Sequence, residues 1–202
     1  MPNHAENQTL KRYSTCRWVL SFSSLRRILV VTWLLVLGAC THSSTEVDEV
    51  WSAPGSGAYS MGRTMVIVYT RTPAVSGMVE SVIVRELQKQ GVSAVGWHSA
   101  VPGVHGPDRT QVVPVVTAGG YTSVLTLNVL EIKQVERDYP ASQVARGEVK
   151  LFSVVTQKLV WSMVADTYVR TVAGTHYIMP AEEDVQKFAE ALSRELLHSG
   201  IL

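Results

Sequence analysis

The sequence predicts an α/β domain of the α+β kind: a mixed sheet of about five strands, with a β-α-β unit, then a three-stranded antiparallel meander and a closing C-terminal helix. Three observations predict it. Met65-Val66-Ile67-Val68-Tyr69 is a continuous β-branched and aromatic run, the pattern of a strand buried on both faces. The residues after it change to apolar steps of three and four, the period of a helix. Between Tyr121 and Val172, long stretches alternate apolar with polar residues before a final amphipathic segment.

An export signal stands ahead of this domain. Arg26-Arg27, the apolar run from Ile28 to Leu37 and the exit Gly38-Ala39-Cys40 are the parts of a secretory signal segment, and the run is too short to span a bilayer as a mature helix. A buried core segment gains nothing from arginines on one side and a Gly-Ala-Cys exit on the other. The arginine pair lacks the flanking pattern of twin-arginine export, so the ordinary Sec route is expected. Leu37-Gly38-Ala39-Cys40 also resembles the lipobox of bacterial lipoproteins. That resemblance implies cleavage between Ala39 and Cys40, acylation of Cys40 by palmitate-like chains, and a membrane anchor. Thr41 after the cysteine, where an aspartate would imply inner-membrane retention, agrees with delivery to the outer membrane, facing the periplasm.

The expected organisation is a signal peptide over residues 1–39, a lipidated cysteine and flexible tether over 40–61, and a periplasmic α/β domain over 62–202. The chain of 202 residues carries a net charge of +1, which leaves no field to draw nucleic acid. Of its cysteines, Cys16 falls in the removed segment and Cys40 carries the lipid, so packing alone must hold the domain. The tether, from Thr41 to Ser60, mixes Ser, Glu, Asp, Pro and Gly, and Trp51 is its one sticky residue.

In the domain, Met65 to Tyr69 is the central strand. Thr72 is an N-cap and Pro73 a first helical residue. Val75, Met78, Val79, Val82, Ile83 and Leu87 form an apolar stripe, Glu80, Arg85, Glu86 and Lys89 take the other side, and Gly91 ends the helix. Val92 to Trp97 is a second strand, parallel to the first because one helix joins them. Ser99 to Gly120 is crowded with Gly and Pro, and Pro114 argues against an unbroken helix. A long loop with at most a turn or two of helix at Asp108 to Val113 is expected there. Tyr121 to Arg137, Val144 to Val155 and Leu159 to Val172 are the meander, with turns at Asp138 to Ser142 and Thr156 to Lys158. Glu182, Glu183 and Asp184 load the first turn of the last helix, whose stripe is Val185, Phe188, Ala189, Leu192 and Leu196.

This order of elements resembles small bacterial lipoproteins whose domain is like the amino-terminal domain of TolB. Met65 to Val68, the helix exit Leu87 to Val92, the strand Val124 to Leu127, the hairpin Thr156 to Ser162 and the closing helix carry the likeness. The chain departs from that group at Val112 to Gly120, where the group has a clean helix. The resemblance implies an accessory role at the outer membrane, in envelope assembly, export or wall synthesis, and it implies no chemistry.

No motif for catalysis is present: Gly-x-Ser-x-Gly, Gly-x4-Gly-Lys and His-Glu-x-x-His are all missing from the sequence. His98, His105 and Asp108 lie within one loop at a spacing open to metal ligation, but Gly- and Pro-rich loops commonly carry exposed histidines, so no metal and no cofactor is expected. Gly103-Val104-His105-Gly106 has the Gly-x-x-Gly spacing of a nucleic-acid loop without basic residues inside it, so turn chemistry accounts for it. Glu131, Glu136, Asp138 and Glu148 alternate with Lys133, Arg137 and Lys150 as a solvated face does. Trp51, Tyr121, Tyr139, His176 and Tyr177 are the candidate partner-binding aromatics.

The expectation is therefore a non-enzymatic, lipid-anchored accessory or scaffold protein whose partners are the membrane, through Cys40, and other envelope proteins. Two other readings stay open: a ring-forming homo-oligomeric component of an export or secretion machine, and a periplasmic hydrolase or glycan-binding domain using the carboxylates from Glu131 to Glu148.

Overall fold

The computed structural model describes residues 45–135, 142–170 and 179–202, the side chains of Val135 and Ser142 excepted. Six strands form one mixed sheet in the order β1-β6-β5-β4-β2-β3: β1 Thr45–Ser52, β2 Thr64–Tyr69, β3 Ala94–Gly96, β4 Ser123–Val135, β5 Ser142–Ser153 and β6 Leu159–Arg170. The helices among the described residues are α1 Pro73–Lys89, the single turn α2 Trp97–Ala100, α3 Arg109–Ala118 and α4 Glu182–His198, with a 3-10 turn at Ser56–Ala58. β2 runs parallel to both its neighbours, and β4, β5, β6 and β1 pair antiparallel. The predicted β-α-β unit, meander and closing helix are all present.

The sheet has a thick side and a thin side. α1 and α4 cover the thick side, where Val82, Ile83, Leu87, Phe188, Leu192 and Leu196 pack on Val66, Leu125, Leu151, Trp161 and Met163. The Trp161 indole N–H donates to Ser199 Oγ at 2.9 Å, so the buried ring keeps its polar atom satisfied. α2 and α3 cover only the β2–β4 part of the thin side, with Trp97, Val112 and Val116 over Met65, Ile67 and Val124. Among the described residues, no helix covers the rest of that face, across β5, β6 and β1. β2 is buried on both faces, as its continuous apolar run requires.

Three expectations need correction. Residues 45–52, expected within the tether, form β1 and pair antiparallel with β6 from Thr45 opposite Thr167 to Ser52 opposite Trp161. β1 is an edge strand, so the backbone ladder orders it while its acidic side chains stay in water. The chain after it also docks: Tyr59 Oη lies 2.6 Å from Ser123 Oγ, and Met61 is buried and donates its N–H to Ile201 O at 3.2 Å.

The segment expected as a loop contains α3, ten residues long with Pro114 inside it. Asp108 and Gln111 form a capping box, Gln111 N–H donating to Asp108 Oδ1 at 3.0 Å and Asp108 N–H to Gln111 Oε1 at 3.1 Å. The cap, together with burial of Val112 and Val116 one turn apart, outweighs the hydrogen bond that Pro114 removes. Finally, Glu80 and Glu86, expected on the outer side of α1, are buried, because α4 and the α2 turn close over that side.

Candidate functional site

β2 sits between β3 and β4; the connection from β2 to β3 passes through α1 on one side of the sheet, and the connection from β3 to β4 passes through α2 and α3 on the other. The crevice at the carboxyl end of such a strand is where open α/β sheets place ligands. Glu80 of α1, only 2% exposed, enters that region. Its Oε1 accepts the Val68 N–H at 3.1 Å and its Oε2 accepts the His98 N–H at 2.9 Å. Oε2 also lies 3.0 Å from His98 Nδ1, and His98 Nε2 lies 3.2 Å from His105 Nδ1. Gly96 makes the approach feasible, since a Cβ there would stand 3.1 Å from Glu80 Oε2.

The same loop is fixed from two more sides. Trp97 Nε1 donates to Val104 O at 3.0 Å, and Tyr69 Oη donates to Pro107 O at 2.9 Å. Burial, and then the charges of Asp108 and Glu80, push the Tyr69 phenol above its ordinary value, so it remains a donor. Asp108 stays with its helix: the Thr110 hydroxyl and the Gln111 N–H hold its carboxyl below the usual range. Of the three loop residues with metal-ligand chemistry, the fold brings the two histidines together and assigns the aspartate to the cap. Among the described residues, no group of three or more His, Cys, Asp or Glu side chains is placed to hold a metal ion.

A second feature lies on the thick side. β4, β5 and β6 run on past the amino ends of α1 and α4, leaving a half-open groove of about 820 Å³. Val75, Val79, Val129, Val185 and Phe188 line its apolar floor, and Arg71 and Gln143 are among its polar residues. Leu130, 51% exposed, and Ile132, 56% exposed, stand on the overhanging strand. Arg170 pins one wall, donating from its backbone N–H and Nε to Asp184 Oδ2 at 2.8 and 3.1 Å and from a terminal nitrogen to Glu183 Oε2 at 2.8 Å. Burial opposes ionisation of Asp184, but the Arg170 guanidinium and N–H outweigh it and hold the carboxyl below its ordinary value.

The chain is similar in fold to PelC. The dodecameric PelC from Paraburkholderia phytofirmans is 17% identical, matching 78% of this chain and 99% of that one with a TM-score of 0.48. Lipoprotein GNA1162 from Neisseria meningitidis is 13% identical over 68% of this chain and 99% of that one, with a TM-score of 0.43. XCC0632 from Xanthomonas campestris is 12% identical over 74% and 91%, with a TM-score of 0.38. No protein-family model matches the chain, and no curated protein matches it in sequence. At these identities no residue role passes from one protein to another.

The sequence-derived candidates fall in different places. Trp51 is 43% exposed on β1, opposite Ser162, on the part of the thin side that no described helix covers. Tyr121 is buried, with the Arg63 guanidinium 4.7 Å above its ring, so it belongs to the thin-side core and presents no surface. Ala39, Cys40, Glu136, Asp138, Tyr139, His176 and Tyr177 lie outside the described residues. Glu131 and Glu148 are each paired with a lysine two residues on, Lys133 at 3.1 Å and Lys150 at 2.8 Å. Arg146 bridges Asp48 at 2.5 Å and Asp166 at 3.0 Å, tying β1, β5 and β6 across this face. No helix among the described residues is long and apolar enough to cross a membrane.

Sequence reasoning missed Glu80. Its one signal is position: Val79, Glu80, Val82 and Ile83 crowd an arc of α1 too wide for one apolar stripe, and all are buried.

Proposed function

We propose that this chain is a lipid-anchored periplasmic accessory protein of the bacterial envelope, held at the outer membrane by acyl chains on Cys40, which binds other envelope proteins and performs no reaction. The observation that carries this reading is the groove, with Leu130 and Ile132 standing exposed on its overhanging strand. An apolar groove of that size, open to solvent, suits an apolar segment of a partner protein. The anchor fits the geometry: Thr45 follows Cys40 by five positions, a reach of at most about 18 Å, which keeps the β1 edge near the membrane. More than one acyl chain makes such an anchor stable. The likeness to TolB-type domains belongs to the same proposal.

Two measurements test it together. A photo-crosslinking residue at Ile132 is expected to capture an envelope protein in growing cells, while the same residue at Val155, 83% exposed on the β5–β6 turn, captures none. Membrane fractionation of the wild type beside Cys40→Ala is expected to move the protein from the outer membrane to the soluble periplasm. Equal capture from both positions removes the groove from the proposal, and an unchanged fractionation removes the anchor. Assembly into a ring is a separate reading, decided by the mass of the lipid-free Cys40→Ala protein in solution.

A further inference from the structure

On the reading that the groove takes an apolar segment of a partner protein, we infer that this segment is an extended strand. It pairs with the open edge of β4, places alternate apolar side chains in the groove and sets a carboxylate against Arg71. β4 outruns one of its neighbours: β2 pairs with it only as far as Tyr69 opposite Asn128, whereas β5 pairs with it as far as Val135 opposite Ser142. Among the described residues, no strand lies against Val129 to Gln134 on the side away from β5. Backbone groups facing that side have no ladder partner, and such an edge is the template that an added strand completes. Free edges are ordinarily guarded by charge, a bulge or short length. This one has a bulge between Val129 and Glu131 and a charge at Lys133, yet Leu130 and Ile132 stand 51% and 56% exposed on it.

The edge and the groove coincide. Val129, Ile132 and Gln134 line the groove together with Gly147, Ala145 and Gln143, their partners on β5. A strand laid along the edge continues the line of β2, and its period of two sends every second side chain over the apolar floor of Val75, Val79 and Phe188. About five residues cover the free stretch at about 3.3 Å per residue. A helix would also fill an apolar groove, but it would leave the β4 backbone groups without partners. Charge sets the rest. Arg71 follows the end of β2, lines the groove and is exposed, and among the described residues it has no hydrogen bond or ion pair. Glu131, the other charged residue of the lining, is paired with Lys133. The first turn of α1 holds no acidic residue, so this end of the groove is positive and a carboxylate on the incoming strand is its complement.

The test is made in growing cells with the full chain carrying a photo-crosslinking residue at Ile132. Mass spectrometry of the crosslinked peptide is expected to place the link in one segment, with apolar residues at every second position and an aspartate, glutamate or terminal carboxylate at one end. Arg71→Glu alters an exposed side chain and is expected to cut capture at least about tenfold with an unchanged circular dichroism spectrum, while Arg71→Lys keeps it. A synthetic peptide of the crosslinked segment is expected to slow amide exchange from Val129 to Gln134 of the purified chain by about tenfold or more, as ladder hydrogen bonds require. Full capture by Arg71→Glu overturns the part given to Arg71. A link in a segment of helical period, or unchanged exchange in β4 with the peptide bound, overturns the strand. The groove reading survives each of these results, whereas no capture from Ile132 removes both.

Discussion

Glu80 Oε1 accepts the backbone N–H of Val68 at 3.1 Å, so a carboxylate of α1 is bonded directly to the central strand of the sheet. The other oxygen accepts the His98 N–H at 2.9 Å, and one side chain thereby joins α1, β2 and α2. Glu80→Ala leaves the buried Val68 N–H and the partly buried His98 N–H without this acceptor. The expected loss is about 2–4 kcal/mol, read from urea denaturation, with Glu80→Gln losing less because its amide oxygen still accepts. A loss below about 0.5 kcal/mol for the alanine variant would mean that the carboxylate does not hold these elements together.

Gly96 is open to the same logic. Its φ of −78° is ordinary for any residue, so only space matters. A Cβ at this position meets Glu80 Oε2 at 3.1 Å and Glu80 Cβ at 3.4 Å. Gly96→Ala is expected to displace the carboxylate slightly and lower stability by about 1 kcal/mol, and Gly96→Val by about 2–3 kcal/mol. Thermal unfolding of the two variants checks the order, which reverses if β-propensity outweighs space.

Asp184 and Glu86 set the response to acid. Burial opposes ionisation of both; Arg170 outweighs it at Asp184, and Lys89 and Gln186 outweigh it at Glu86, so each folded value lies below the unfolded one. A depressed carboxylate contributes its stability above the unfolded value, near 4, and loses it as the pH falls through the folded value. Stability is expected to hold from neutral pH to about 5 and then decline. Asp184→Asn should be less stable at pH 7 and show a shallower decline below pH ~5. Parallel acid profiles for the two proteins would exclude Asp184 as a contributor.

Arg146 bridges Asp48 of β1 and Asp166 of β6 on the part of the thin side that no described helix covers. These groups are solvent-exposed enough to be screened, so Arg146→Ala is expected to leave global stability nearly unchanged. Its effect should be local. Backbone amides of β1 are expected to exchange faster with solvent while those of β4 stay unchanged, as hydrogen–deuterium exchange would show. Equal acceleration in β4 would mean that the bridge supports the whole sheet.

Sequence alone determined the elements whose side chains pay for their own burial. Met65 to Tyr69 reads as a two-faced strand because every residue in it is apolar, and α4 reads as a helix because its stripe, its acidic first turn and its end all agree. The parallel pairing of β2 and β3 followed from the single helix between them. The export signal and the lipid on Cys40 are expectations of the sequence that lie outside the described residues. Tertiary structure decided the rest. β1 is acidic and looks like a tether, and becomes a strand only because β6 offers it a backbone ladder. α3 survives Pro114 because a cap and two buried valines act at once, which no single residue announces. Glu80 reads as a solvent-facing charge on a helix. It becomes a buried acceptor because β2 and α2 present two N–H groups to it across the chain, and Gly96 leaves the room. Periodicity records what a segment needs from water, whereas the partners of a polar group are set by distant chain brought close.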